Sequence, residues 1–366
     1  MRILHFLPPD NDMIAQHVTM LTNGMGLEAE NHVTSDAGNA KMLLQNGKYD
    51  ILHIHGCWRN ASKNLVGLTK KSLTRLVVTP HGQLQPWVQD DGYWKEKLPK
   101  RLLYQRDIIH QAYAIIVQGK MELECMEKLG WNSRCTIIRN AIITCSISAQ
   151  EMARQTFALY RKVMDSNTLE LLPAESRDTM RSIIKAGITG DSRWLSDDSR
   201  PTPLSDEDMR RVMCHAYQEQ TTDWIKKGLK VLKWNDPDID AATIDCFLPE
   251  GYHAPQSIQS TIGNQYASEN ERLMATFKLI RKLTSNNQLS MLHLCELDRE
   301  LRFHPCEEEE LKEELKEHKL WMLARRTMQL MADMTGLTEG YMPVTALDDR
   351  QTRQMRESVE KRLKIQ

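Results

Sequence analysis

No stretch of this 366-residue chain runs to about 18 consecutive apolar residues, so a membrane-spanning helix is not expected. The eight cysteines (Cys57, Cys125, Cys135, Cys145, Cys214, Cys246, Cys295, Cys306) form no C-x-x-C pair, so neither a zinc knuckle nor a disulfide framework is indicated. Reduced, structural thiols and no metal are the expectation. Charge of one sign is not in excess either: 48 Lys and Arg stand against 49 Asp and Glu, a net of −1. A protein that coats nucleic acid or an anionic surface with its whole exterior is thereby excluded, and any such partner must meet a local patch. Glycine (17) and proline (13) are too few for a fibrous repeat, while 41% hydrophobic content is too high for wholesale disorder. The first nine residues carry one basic residue before a short apolar stretch, too short for a signal peptide, and the chain reads as cytoplasmic.

What is present suggests two domains. Residues 1–145 hold 17 Lys and Arg against 13 Asp and Glu, and 10 of the 17 glycines, although they are the shorter part. The remainder is net acidic, 31 against 36. The expected division is therefore 1–145, then a domain over 146–347, then a polar tail over 348–366 that forms a lone surface helix or frays.

In the first part, residues 2–7 (RILHFL), 31–35, 50–55 (DILHIH), 75–79 (RLVVT), 114–118 and 136–139 are short β-branched or apolar runs closed by turn residues, as strands are. Between them, residues 13–26, 63–73, 95–111 and 121–129 carry apolar residues at helical spacing. This alternation predicts an α/β, Rossmann-like doubly wound parallel sheet. In such sheets ligands lie beyond the carboxyl ends of the strands. Three segments fall there: Pro8 to Asp12, His53-Ile54-His55-Gly56-Cys57-Trp58, and Thr79-Pro80-His81-Gly82. Glycine lets the chain turn at the rim, and imidazole can donate, accept or move a proton near neutral pH. His81 is the foremost candidate, with two readings open: a ligand-facing group, or a rim histidine that hydrogen-bonds its own loop. His53 and His55, two apart on a strand, point to the same side. No third ligand at a recognised spacing accompanies them. His53 reads as packed and His55, nearer the turn, as the ligand contact.

Between Lys63 and Arg106 nine basic residues face three acidic ones, and Trp87, Tyr93 and Trp94 adjoin the densest stretch, WKEKLPKRLLYQR. Lys95, Lys97, Lys100 and Arg101 suit a phosphate-bearing ligand or an anionic membrane surface, or form a solvated helix face. No nucleic-acid-binding signature accompanies the charge.

The blocks YDILHIHGCWRN, RLVVTPHGQLQPW, YWKEKLPKRLLYQRDIIHQAYAIIVQGKMELECMEKLGW and CTIIRNAI resemble, in order and spacing, the N-terminal lobe of family 4 glycosyltransferases, notably those of bacterial surface-polysaccharide clusters. The resemblance covers about 140 residues. It implies a GT-B-type N-terminal lobe that receives a saccharide or lipid-linked sugar acceptor, with a nucleotide-sugar as donor and no required cofactor. It places His81 in the catalytic cleft as the catalytic residue; a sugar transferase built on this lobe would then use His55, Gly56, Trp58, Gly82, Lys95, Lys97, Lys100 and Arg101 on the acceptor. It also puts Asn140 at the segment that ends the lobe. A hexosyltransferase in polysaccharide synthesis, peripheral at the inner face of the membrane, is what this implies. The family's Gly-Gly element after the first strand is replaced by PPDNDMIAQH, and its P-S-x-x-E-x-x-G stretch with an E-x7-E motif is not found. Glu300 and Glu308, and Glu309 and Glu317, have that spacing, but a four-glutamate run makes it coincidental and Pro305 interrupts the first pair.

From residue 149 the periodicity is helical: 152–164, 174–186, 206–234, 267–283, 307–334 and 350–363. A mainly α-helical domain without a second Rossmann lobe is expected. That leaves two functions open: a glycosyltransferase, or a non-catalytic, donor-lobe-deficient relative that binds acceptor or a partner subunit of a synthesis complex.

Overall fold

The computed structural model describes residues 1–85, 104–143, 146–193, 201–263 and 265–365. The chain forms two compact units, one of Met1–Ser166 with Asp245–Phe247, the other of Asn167–Ile244 with Leu248–Ile365.

In the first unit, strands β1 (Arg2–Phe6), β2 (Glu30–Thr34), β3 (Ile51–His55), β4 (Arg75–Thr79), β5 (Ala114–Val117) and β6 (Cys135–Ile137) make one all-parallel sheet in the order β2-β1-β3-β4-β5-β6. All six lie where β-branched runs predict them. Parallel strands covered on both faces must be apolar on both, and they are: Leu4, Phe6, Leu52, Ile54, Leu76 and Val78 pack on one side, Ile3, Ile51, Val77 and Ile116 on the other.

The first side is covered by α2 (Ala37–Asn46), α3 (Asn60–Ser72), α4 (Arg106–Gln111) and α5 (Lys120–Leu129). Of these, α2 escapes the periodicity because its AGNAKMLLQN buries only Ala40 and Leu44. The second side is covered by α1 (Asp12–Met25), whose N-cap Asn11 accepts from the Ile14 amide, and by α6 (Ala149–Asp165). Helix α6 carries the unit past the expected boundary at 145: Met152, Ala153, Leu159, Tyr160 and Val163 bury against a sheet face that α1 alone leaves uncovered. Residues 245–247 return to α6, where the Phe247 amide donates to Ser166 Oγ at 2.8 Å and Lys162 pairs with Asp245 at 3.0 Å.

The second unit is helical, with no strand among its described residues: α7 (Ala174–Thr189), α8 (Asp206–Gln218), α9 (Thr222–Leu232), α10 (Ile258–Ile262), α11 (Glu269–Ser285), α12 (Met291–Phe303), α13 (Glu308–Glu317), α14 (Trp321–Met334) and α15 (Arg350–Glu360). Two runs expected as single helices are each broken in two. Gln220 and Lys319 adopt left-handed φ of 57° and 56°, and the amides that follow them donate back to Ala216 and Leu315, closing each helix with a Schellman turn. Helix α12 shows no amphipathic stripe because it is buried nearly all round. The expected lone tail is instead part of the core: α15 begins at an Asp349–Thr352 capping box and buries Met355 and Val359, with Leu363 just beyond.

Helices α7 and α9 cross where glycine meets backbone. A Cβ on Gly187 would overlap the Trp224 carbonyl, and one on Gly228 the Ile183 carbonyl. Alanine normally gains up to about 1 kcal/mol over glycine inside a helix. At these two positions overpacking reverses the sign, and G187A or G228A should each lose about 1–3 kcal/mol or more in thermal or denaturant melts. Gly67 in α3 has nothing near its would-be Cβ, so G67A should raise stability in the same assay.

Candidate functional site

The switch point of the sheet lies between β1 and β3, the neighbours from which the strand order runs in opposite directions, and ligands of doubly wound sheets bind beyond the carboxyl ends there. At that point five histidines meet. His5 from β1 stands beside His53 of β3 in register, His55 follows two residues later on the same face, His17 reaches in from α1, and His81 comes from the turn after β4.

Four of these rings have both nitrogens engaged. His53 bonds the Tyr160 hydroxyl of α6 through Nδ1 (2.6 Å) and Thr79 Oγ1 through Nε2 (2.7 Å), which makes it a buried post between sheet and helix. The other three form a chain: His5 Nδ1 to His55 Nε2 at 3.1 Å, and His55 Nδ1 to His81 Nε2 at 3.0 Å. Its polarity is set at one end. Asn31 donates its Nδ2 to the Ala29 carbonyl, which turns Oδ1 toward His5 Nε2 at 3.1 Å. An amide oxygen only accepts, so His5 carries its hydrogen on Nε2. One hydrogen per neutral ring then requires His55 Nε2 to donate to His5, His81 Nε2 to donate to His55, and Gln118 Nε2 to donate to His81 Nδ1 at 2.8 Å. Three Nε2–H tautomers thus run in one direction.

Neutrality follows from burial. Desolvation lowers His5 to about 4 and His81 to about 3 and holds His53 and His55 well below the ordinary value of 6.5, with neighbouring imidazoles adding to it, and it lowers His17 against the opposing bond to Asn140.

Two triads of ring nitrogens, His5/His53/His55 and His17/His55/His81, lie within 4.8 Å of one another. A zinc-like ion needs lone pairs converging on one point about 2.1 Å from each nitrogen. In the neutral cluster the His5–His55 and His55–His81 nitrogens are paired with one another at 3.1 and 3.0 Å, so a metal would have to displace those hydrogen bonds.

His17 differs from the rest. It is 6% exposed, its side chain bonds Asn140, its ring stands edge-on 5.0 Å from His81, and its Nδ1 has no partner among the described residues. It is the cluster's one uncommitted ring nitrogen among those residues.

The turn carrying His81 is held from below. His81 has φ 54°, unusual for a residue with a Cβ, and Gly82 follows at 77°. Glu122, fully buried in the first turn of α5, accepts from the Gly82 amide (2.7 Å) and the Gln118 amide (2.9 Å). Burial pushes its carboxyl upward, opposed by those two bonds. Gly56, at φ 88°, donates to the Thr79 carbonyl and so ties the two rim turns together.

Among the residues singled out by sequence, His55, Gly56, His81 and Gly82 come together here, and Asn140 joins them through His17. Trp58 packs instead with the cluster on the α2–α3 face. Lys95, Lys97, Lys100 and Arg101, with Trp87, Tyr93 and Trp94, lie outside the described residues. Sequence reasoning passed over His5, His17, Asn31, Gln118, Glu122 and Tyr160. For His17 a signal exists: it is a polar residue on the buried stripe Ile14, Val18, Leu21, Met25.

Residues 9–144, within the first unit, match the family model described as Glycosyltransferase Family 4. No curated protein and no solved structure matches the chain. Among the described residues no helix is long and apolar enough to cross a membrane.

Proposed function

We propose that the chain is a glycosyltransferase-like protein of bacterial surface or capsular polysaccharide synthesis, whose first unit binds a saccharide or lipid-linked sugar acceptor at the histidine cluster and takes sugar from a nucleotide-sugar donor. The observation that carries this reading is the uncommitted Nδ1 of His17, set between His81 and His55 at the switch point of a domain that matches family 4. In a family whose N-terminal lobe receives the acceptor, such a nitrogen suits a sugar hydroxyl, which donates one hydrogen bond and can give up its proton on transfer. His55 and His81 hold the surrounding geometry.

A second reading is favoured by the all-helical second unit. Transfer needs donor and acceptor held in near-attack geometry, which the family achieves with two facing Rossmann-like lobes. A chain with one such lobe suits an acceptor-binding subunit that works with a donor-binding partner. Isothermal titration of the whole protein with UDP-, GDP- and dTDP-sugars separates the two: saturable binding of one of them is expected if this chain transfers sugar alone, and binding of none, with acceptor still bound, favours the subunit.

A further inference from the structure

The second unit contains a cavity of about 230 Å³ among the turn Thr168–Leu171 and helices α7, α8, α12, α14 and α15. Leu169, Met180, Met291, Met334 and Val359 give it an apolar lining, and three methionines make that lining adaptable in shape. Four cations, Arg177, Arg181, Lys361 and Lys364, line it against two carboxylates, Glu170 and Glu360, a net of +2. Arg181 is tied to Asp178 (2.8 Å) and Glu360 (3.6 Å), and Lys361 to Glu357 (2.8 Å), whereas Lys364 has no ion-pair partner among the described residues. His215 also lines the cavity. It is 5% exposed, and its Nδ1 has no hydrogen-bond partner among the described residues.

Each feature has a structural cost that a ligand would remove. A buried ring nitrogen without a partner forgoes the hydrogen bond it had in water, and Arg177 and Lys364 bring two cations to the rim of an apolar hollow with no ion-pair partner among the described residues. A ligand that answers both must present apolar surface, a hydrogen-bonding atom and about two negative charges. A phosphate monoester carries about −1.5 to −2 near neutral pH. We propose that this cavity binds the phosphate monoester of an apolar alcohol, with the alkyl or aryl part on the methionines, the ester or phosphate oxygen within reach of His215, and the phosphate among Arg177, Lys361 and Lys364. The proposal stands on the second unit alone and does not depend on the sugar-transfer reading.

The test uses the full chain and octyl phosphate below its micelle concentration, with octyl glucoside and inorganic phosphate as probes of each half of the ligand. Saturable one-to-one binding of octyl phosphate is expected, tighter than either probe by about tenfold or more, and weakening as salt rises. K361A/K364A, a change at the rim, should weaken it by about tenfold and flatten its salt dependence. H215L should weaken it too, with folding checked by melting. No binding of octyl phosphate, equal binding of octyl glucoside, inorganic phosphate as tight as the ester, or an affinity indifferent to K361A/K364A would each overturn the proposal.

Discussion

Replacing His17 with methionine should leave the melting temperature unchanged or raise it, while reducing transfer to a sugar acceptor by about 10²-fold or more. Both halves follow from the same atom. A buried polar nitrogen without a partner is a cost of about 1–3 kcal/mol, and an apolar side chain of similar length removes it. Asn140, which loses its bond to the ring, keeps its own contact, since its Oδ1 accepts from the Ile142 amide at 3.0 Å. A residue present only for stability would respond in the opposite way. His81 supplies the contrast. Its nitrogens are occupied by His55 and Gln118, and its backbone is left-handed, a conformation asparagine tolerates. H81N should therefore lower stability by breaking the imidazole chain and lower acceptor use through displacement of its neighbours. Melts and acceptor transfer measured on one preparation of each variant decide the matter: a large stability loss in H17M with activity per folded molecule intact would remove His17 from the site.

The protein should also be unusually sensitive to mild acid, losing stability steeply between pH 7 and pH 5.5. His5 and His81 in the first unit lie at about 4 and about 3, and His215 and His293 in the second at about 4, all through burial. In the unfolded chain each titrates near 6.5. Below that value the unfolded state takes up protons that the folded state refuses, so the stability present above pH 6.5 is lost as pH falls toward the folded values. One unit below 6.5 the loss is about 1.4 kcal/mol per ring, or about 3 kcal/mol in each unit, a large share of the 5–15 kcal/mol a domain typically holds. The buried carboxyls of Glu122, Glu219, Glu296 and Asp298 are raised, again by burial, and act in the opposite sense, so the net slope measures which set dominates. Seven histidines with lowered values, counting His17, His53 and His55, outweigh four carboxyls whose own partners oppose their shifts. N31D gives an internal control: a carboxylate on His5 Nε2 favours the imidazolium and should flatten the acid loss of the first unit. Melting curves from pH 7.5 to 5.5 that show no loss, or an N31D slope steeper than the parent's, would contradict the neutral chain.

The parallel sheet is legible in the linear chain because its strands are local: five or so β-branched and apolar residues closed by a turn, as in RILHF and RLVVT, form the same element wherever they fold. The helical character of the second part is legible for the same reason. The rim position of His55 and His81 follows from strand order and glycine placement, and the family likeness rests on those same blocks. The division between the units did not follow, because α6 joins the first unit through Tyr160 and Val163, contacts made across more than a hundred residues of chain. Nor did the breaks at Gln220 and Lys319, where residues with no sequence preference for a left-handed turn adopt one to let the next helix pack.

The sequence by itself determined the class of each part and the two histidine-bearing rim turns, since these depend on residue type and spacing along the backbone. Only the tertiary structure decided that His5 and His17 join them, that Asn31 sets the direction of the hydrogen bonds, and that His17 rather than His81 keeps a nitrogen free among the described residues. Which lone pair is spent is a property of neighbours brought together from β1, β2, β3, α1 and the turn after β4, and one hydrogen per neutral ring lets a single distant amide fix them all.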